Sequence, residues 1–275
     1  MTVKEALKYT IEALQGVTDE AEREAEILIS YLANESAGRL MFSEKQVDVR
    51  DIDNAISKRK ENIPIQYIIG KWWFYKGEFF VGDGVLIPRQ DTETLVETAN
   101  ELLKGISEPE VCDLCAGSGC IGISIATDYP NASVTCVEKY DKAFGYLERN
   151  ITHNGVSNVR AVKADVLEEA FGSYDLIVSN PPYITKADMQ ILSNEVKKEP
   201  ETALYGGEDG LYFYREITKL WKSALKKNGI LAFEVGINEA TSVAEIMVLN
   251  GFKNITVKND LCGVQRVVFG TVDNI

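Results

Sequence analysis

From about residue 91 onward, short apolar and β-branched runs alternate with helix-length segments, and this alternation constrains the fold more than any other feature. The runs at 109–115, 133–138, 159–163, 174–179, 229–235, 253–258 and 265–271 read as strands. The stretches 91–104, 120–128, 140–153, 210–226 and 238–250 read as helices. Such alternation implies a largely parallel sheet with helices on both faces, each helix returning the chain to the start of the next strand. The last two strands are separated only by a loop, so the final strand is expected to be antiparallel. The fold class is therefore α/β, a doubly wound seven-stranded sheet.

Residues 1–62 differ, with almost no period-two alternation. Ala6, Leu7, Ile11 and Leu14 recur at helical spacing, as do Ala25, Leu28, Ile29 and Leu32. Thr2 with Glu5, and Asp19 with Glu22, have the spacing of a capping box at a helix start. Shorter helices are expected around 36–42 and 51–62. Between the two patterns, Trp72-Trp73-Phe74-Tyr75-Lys76-Gly77-Glu78-Phe79-Phe80-Val81 is aromatic with a turn glycine, the signature of a β-hairpin. Its aromatics either glue the bundle to the second domain or form a surface for a partner. The expected division is a helical domain over 1–70, a hairpin linker over 71–88 and an α/β domain over 89–275.

Composition narrows the function. Hydrophobic residues are 45% and charged residues 26% of the 275, enough for a sizeable core without disulfide staples. The net charge is −13, and neither the part before residue 88 nor the part after it is basic. A chain this acidic would repel the phosphates that a nucleic-acid binder must neutralise. Four of the five cysteines (Cys112, Cys115, Cys120 and Cys136) fall close together, with Cys262 alone, which does not read as a secreted disulfide framework. No leader-like apolar region opens the chain and no run approaches a membrane span, so a cytoplasmic protein away from membranes is expected. If 112–115 is a strand, Cys112 and Cys115 point to opposite faces and cannot grip one metal ion together. The single histidine, His153, falls at an expected helix end. No metal site is expected.

The first sheet strand runs into Cys115-Ala116-Gly117-Ser118-Gly119-Cys120-Ile121-Gly122. Glycines at this spacing, between a strand and a helix, let the backbone turn tightly and approach a ligand. Glu138 ends the next strand and can accept both hydroxyls of a ribose. The pattern suits a dinucleotide and S-adenosylmethionine alike. Asp165, after the third strand with Val166 beside it, can accept from an adenine amine or cap a turn.

The strand 174–179 ends in Asn180-Pro181-Pro182-Tyr183. Two prolines fix φ and remove two N–H donors, which holds the neighbouring carbonyls rigidly outward. The Asn180 side-chain oxygen and the Pro181 carbonyl then form two fixed acceptors, suited to one planar –NH2 group. Tyr183 can lie over the flat face of such a substrate. Amines of adenine or cytosine present the same group as an amide. The acidic balance argues against nucleic acid, and an NAD-dependent oxidoreductase would leave Asn180 to Tyr183 without a role.

These motifs resemble class I S-adenosylmethionine-dependent methyltransferases with a Rossmann-like sheet, and more closely the HemK/PrmC family, which methylates a glutamine of peptide-chain release factors. The resemblance spans nearly the whole chain. It is carried by Pro64-Ile-Gln-Tyr67-Ile-Ile-Gly70, by Ile87-Pro88-Arg89-Gln90-Asp91-Thr92-Glu93, by Asn180-Pro181-Pro182-Tyr183, by Gly206-Gly207-Glu208-Asp209-Gly210-Leu211 and by Gly263-Val264-Gln265-Arg266. It departs at Cys115-Ala116, where the family usually has Gly-Thr, at Gln90-Asp91 for Pro-Glu, and at Glu138, often Asp. The resemblance implies methyl transfer from S-adenosylmethionine to glutamine N5 in a Gly-Gly-Gln loop, with S-adenosylhomocysteine as product. It implies cofactor contacts from Cys115, Ala116, Gly117, Ser118, Gly119, Glu138, Asp165, Val166 and Asn180. Substrate contacts are expected from Asn180, Pro181, Pro182, Tyr183 and Arg89. A monomer that docks release factors through its helical domain is expected.

Overall fold

The computed structural model describes residues 1–273, and these fall into two compact units, 1–71 with 193–198, and 72–192 with 199–273. The smaller unit is helical: α1 (Val3–Leu14), α2 (Ala21–Ala33), a 3₁₀ turn at Ala37–Phe42, α3 (Val49–Lys60) and α4 (Ile65–Ile69). The Thr2–Glu5 capping box forms as its spacing predicts. The Asp19–Glu22 box does not. α2 starts one residue late, with Glu20 at its cap and no side-chain cap bond, because the Thr18 hydroxyl takes the Glu20 N–H at 3.2 Å. The segment 36–42 winds as 3₁₀, and α4 is a short helix that periodicity did not reveal.

The periodic residues bury one common face: Val3, Ala6, Leu7, Ile29, Ile52 and Ile56 share a core. Beside it lies an ion triad. Arg59, 4% exposed, donates to both oxygens of Glu24 at 2.7 and 3.0 Å and to Glu195 at 2.8 Å. Glu195 lies in the 193–198 segment that belongs to this unit.

The larger unit begins at Trp72, inside the hairpin of β1 (Lys71–Phe74) and β2 (Gly77–Phe80), whose turn places Tyr75 at φ 52°. Phe74 and Phe79 meet edge to face at 6.0 Å inside the core of this unit, while Trp73 is 64% exposed. There follow α5 (Glu93–Leu102), β3 (Glu110–Leu114), α6 (Cys120–Asp128), β4 (Ser133–Glu138), α7 (Asp141–His153), β5 (Val159–Lys163) and β6 (Tyr174–Ser179). Then come α8 (Lys186–Ile191), α9 (Tyr212–Trp221), β7 (Leu225–Glu234), α10 (Ala240–Leu249), β8 (Lys253–Asn259) and β9 (Gln265–Thr271). The seven strands are ordered β5-β4-β3-β6-β7-β9-β8, with only β9 antiparallel to its neighbours. The alternation in the sequence therefore gives the sheet it predicts. β7 begins four residues before its expected start, at Leu225, where Tyr174 pairs with it across a register irregularity.

Period-two alternation sorts side chains to the two faces. Val111, Val134, Leu176 and Ala232 pack on the α5–α6–α7 side, and Cys112, Val137, Ile177 and Phe233 on the α9–α10 side. Central strands are thus buried on both faces, as parallel sheets require. Strand order reverses between β3 and β6, so their carboxyl ends border the crevice where such sheets bind ligands. The Ser179 hydroxyl donates to the Leu114 carbonyl at 2.8 Å and ties those two ends together. Among the described residues, no helix is long and apolar enough to cross a membrane.

Truncating Arg59 leaves Glu24 buried without a partner, a loss on the order of 3–5 kcal/mol for a buried pair. Arg59→Ala is expected to lower the denaturation midpoint accordingly, read by circular dichroism at the helical band. A shift within measurement error would show that the triad is not a stability element.

Candidate active site

The chain leaves β3 with Cys115 at φ 59°, passes Gly117 at φ 56° and Gly119 at φ 81°, and enters α6 at Cys120. Two glycines show why the loop has this sequence. A Cβ at Gly117 would meet no atom within 4 Å, so its positive φ, not crowding, calls for glycine there. A Cβ at Gly122 would come within 2.3 Å of the Cys136 Sγ, so glycine lets α6 lie against β4. Cys115 adopts the same left-handed region with a side chain, which costs more than glycine would.

Cys112 and Cys115 do not alternate across the sheet as expected. β3 ends at Leu114, and Cys115 turns out of the strand. Cys112 and Cys115 therefore pack against the same apolar cluster and not on opposite faces. Burial pushes the Cys112 and Cys115 thiols up, and Cys120 up to about 12, which disfavours the thiolate that a metal ligand or nucleophile needs. His153 ends α7, with its Nε2 3.4 Å from a Glu78 carboxylate oxygen.

Glu138 braces the loop. Its Oε2 accepts from Gly117 N at 2.9 Å and its Oε1 from Tyr140 N at 2.8 Å. Burial raises its carboxyl above the usual range, although those N–H groups pull it down. A carboxylate has about four lone-pair sites, so Glu138 keeps acceptor capacity beyond these two bonds. Asp165 accepts from Leu167 N at 2.9 Å and pairs with Lys139 Nζ at 2.6 Å. Burial raises Asp165, but the Lys139 and Leu167 bonds outweigh it and hold the carboxyl low.

One cavity joins these groups to the end of β6. Cys115, Ala116, Gly117, Ser118, Glu138, Asp165, Val166, Asn180, Pro182 and Arg89 all line it. Gly119, Pro181 and Tyr183 do not. Gly119 turns the loop, and a Cβ there would press on Leu147 at 2.4 Å. Tyr183 packs against the α9–α10 cluster, where burial pushes its phenol well up. Arg89 sits at the rim, paired with the buried Glu199, whose other oxygen accepts from Ile87 N at 3.0 Å.

Asn180 is oriented. Its Nδ2 donates to the Thr92 hydroxyl at 3.3 Å, and among the described residues nothing donates to its Oδ1 or to the Pro181 carbonyl. The loop is braced from behind: Ile184 N donates to Leu204 O at 2.8 Å, and Gly206 N to Ile184 O at 2.9 Å. A Cβ at Gly206 would fall 2.5 Å from the Tyr183 Cα, so only glycine fits there. Sequence reasoning missed Glu199, Tyr140 and Phe213, and gave Thr92 no contact. The Thr92 signal lay in the Pro88-Arg89-Gln90-Asp91-Thr92-Glu93 motif. Glu199 had none, since a lone glutamate in a polar stretch looks like a solvated surface.

Comparisons with known proteins give the family and the fold. A family profile described as "Methyltransferase small domain" matches residues 90–209, and one described as "PrmC N-terminal domain" matches residues 5–70. A "Release factor glutamine methyltransferase" of Clostridium acetobutylicum is 37% identical over 280 residues, covering 98% of each chain. One of Fusobacterium nucleatum is 40% identical over 237 residues, 85% of this chain and 66% of that relative's length. The hMettl16 catalytic domain, solved with a MAT2A 3'UTR hairpin, aligns with a TM-score of 0.59 at 15% identity over 71% of this chain and 76% of that one, a likeness of fold.

Burial raises the Asp113 carboxyl to about 7, against the Gly122 N–H bond at 2.9 Å that favours its charged form, and raises Glu234 and Glu239 to about 7 as well. Each binds its proton more tightly folded than unfolded, where carboxyls titrate near about 4. Folding therefore takes up protons between about pH 4 and 7, and this contribution lowers stability as pH rises through that window. Below about pH 4 both states are protonated, so the contribution is present in full and no longer changes with pH; above about pH 7 it is lost. Asp113→Asn cannot titrate, so its stability relative to wild type should rise from pH 4.5 to 7.5 in parallel urea titrations. Parallel curves for the two proteins would contradict the assignment.

Proposed function

The chain belongs to the release factor glutamine methyltransferases, and we propose that it transfers a methyl group from S-adenosylmethionine to the side-chain amide nitrogen of a release-factor glutamine. The observation that carries this reading is the orientation of Asn180, whose nitrogen is held by Thr92 and whose oxygen is left for a ligand at the cavity.

The groups around the cavity fit the cofactor. The free lone pairs of Glu138 suit the two ribose hydroxyls, and Asp165 with Val166 suits an adenine edge. The turn at Cys115–Gly119 brings backbone close to a ligand. When bound, S-adenosylmethionine supplies a methyl activated by its sulfonium. The chain supplies position. Asn180 Oδ1 and the Pro181 carbonyl accept the two hydrogens of the glutamine –NH2, which fixes the nitrogen and turns electron density toward the methyl. Carbonyl resonance makes an amide nitrogen a weak nucleophile, so alignment contributes more than a base would. The proton leaves after transfer. Pro181 and Pro182 keep the acceptors rigid, and Arg89, tied to Glu199, borders the entrance. S-adenosylhomocysteine is the second product.

We assign docking of the release factor to the helical unit. A chain without residues 1–70 should then lose more activity on a whole release factor than on a short Gly-Gly-Gln peptide, whereas equal losses would contradict the assignment.

Mass spectrometry of a release factor incubated with the protein and S-adenosylmethionine tests the reaction itself. The expected result is one added methylene on the glutamine of the Gly-Gly-Gln segment. An unmodified glutamine, in a preparation that a known relative does methylate, would refute it. Asn180→Ala should lower turnover by about 10²-fold through loss of a preorganised acceptor, with S-adenosylhomocysteine affinity nearly unchanged by calorimetry.

A further inference from the structure

The chain from β2 onward is fastened along one face of α7. Lys142, Tyr146 and Asn150 recur in α7 at every fourth residue, and Asn154 at its C-cap continues the row. They meet the chain at every second residue, in reverse order. The Lys142 stem lies against Gly84 and the Tyr146 hydroxyl against Gly82, where a Cβ on either glycine would collide with it. The Asn150 oxygen accepts from Phe80 N, and Asn154 Nδ2 donates to the Glu78 carbonyl at 3.1 Å. The two periods match because four helical residues advance about 6 Å and two extended residues about 6.6 Å. Residues 78–84 are thereby laid along the helix in one register.

Asn150 has a further partner. It is 0% exposed, and both ends of its amide are engaged. Its Oδ1 accepts from Phe80 N at 2.7 Å, while its Nδ2 donates to the Phe80 carbonyl at 3.1 Å and to the Ser118 carbonyl at 2.9 Å. One N–H and two carbonyls around the amide leave it one way round. Ser118 belongs to the turn between β3 and α6, and Phe80 leads into the segment before Arg89. Both stretches line the cavity, one through Ala116, Gly117 and Ser118, the other through Gly84, Val85 and Pro88. Asn150 itself does not line it. One buried amide thus holds two walls of the cavity from behind, and no step of the reaction described above uses it.

We propose that Asn150 is a positioning residue for the cofactor: it holds the Ser118 carbonyl and the Phe80 backbone at a fixed spacing, and so sets the separation of the two walls between which S-adenosylmethionine binds. Lys142, Tyr146 and Asn154 fasten the segment to α7, and Asn150 also joins it to the turn. This inference rests on the reading that the cofactor occupies this cavity.

The test is calorimetry of S-adenosylhomocysteine on the full chain, beside steady-state rates on a release factor. Asn150→Asp keeps the size and the acceptor for Phe80 N, but sets an oxygen where two carbonyls need N–H. It should weaken S-adenosylhomocysteine binding about tenfold and raise the KM for S-adenosylmethionine by a similar factor. The kcat at saturating cofactor and the KM for the release factor should stay within about threefold of wild type. Asn154→Ala supplies the contrast. It should lower the melting temperature by loosening the hairpin and leave S-adenosylhomocysteine affinity within about twofold. Should Asn150→Asp not fold, Asn150→Ser, which buries no charge and is too short to span both partners, carries the same expectation. Wild-type affinity in a folded Asn150 variant, equal losses of affinity in the Asn150 and Asn154 variants, or failure of both Asn150 variants to fold would each overturn the inference, since each describes a residue of the fold alone. A wild-type chain that binds no S-adenosylhomocysteine would instead refute the cofactor reading, so the two failures are distinguishable.

Discussion

The pairing of β3 with β6 is the constraint on which the site depends. These strands run parallel, with Leu114 opposite Ser179, and strand order reverses between them. Parallel pairing brings both carboxyl ends to one edge, so the glycine loop after β3 and the Asn180–Tyr183 segment after β6 border one cavity. The Ser179–Leu114 hydrogen bond closes the pair at its last residues. An antiparallel partner for β3 would have sent one of the two loops to the opposite edge of the sheet.

Rigidity is then supplied from several sides. Pro181 and Pro182 fix the backbone, Gly206 lets a second strand-like segment lie against Ile184, and Gly210 and Gly236 crowd the backbone and ring of Tyr183. Tyr183 is therefore better understood as part of the brace behind the acceptors, with its ring against Gly236 and its phenol in the apolar cluster. Glu239, bonded to Gly236 N at 3.0 Å, completes that support. On the proposed reading, the acceptors are held on a stiff frame, which suits a reaction whose difficulty is aiming a weak nucleophile.

Much of this was legible in the chain. Helix-length and strand-length runs set the sheet, because periodicity survives wherever burial is one-sided or complete. Glu138, Asp165 and Asn180 were legible because strand-ending motifs place them at the crevice whatever the remaining packing does. What stayed hidden depends on contacts distant in sequence. Glu199 meets Arg89 and Ile87 from more than a hundred residues away. Glu234 is buried at the end of β7, and no local pattern signals a carboxyl buried at the end of an apolar run. The missed start of α2 has a local cause, since Thr18 and not Asp19 takes the Glu20 N–H and Glu20 is left at the cap without a side-chain bond.

A crystal structure with S-adenosylhomocysteine and a Gly-Gly-Gln peptide measures the geometry of the acceptors most directly. The predicted result is a glutamine nitrogen within hydrogen-bond distance of both Asn180 Oδ1 and the Pro181 carbonyl, with Asn180 Nδ2 still on Thr92. A glutamine nitrogen bonded to neither acceptor, or Asn180 flipped with its nitrogen toward the peptide, would contradict it.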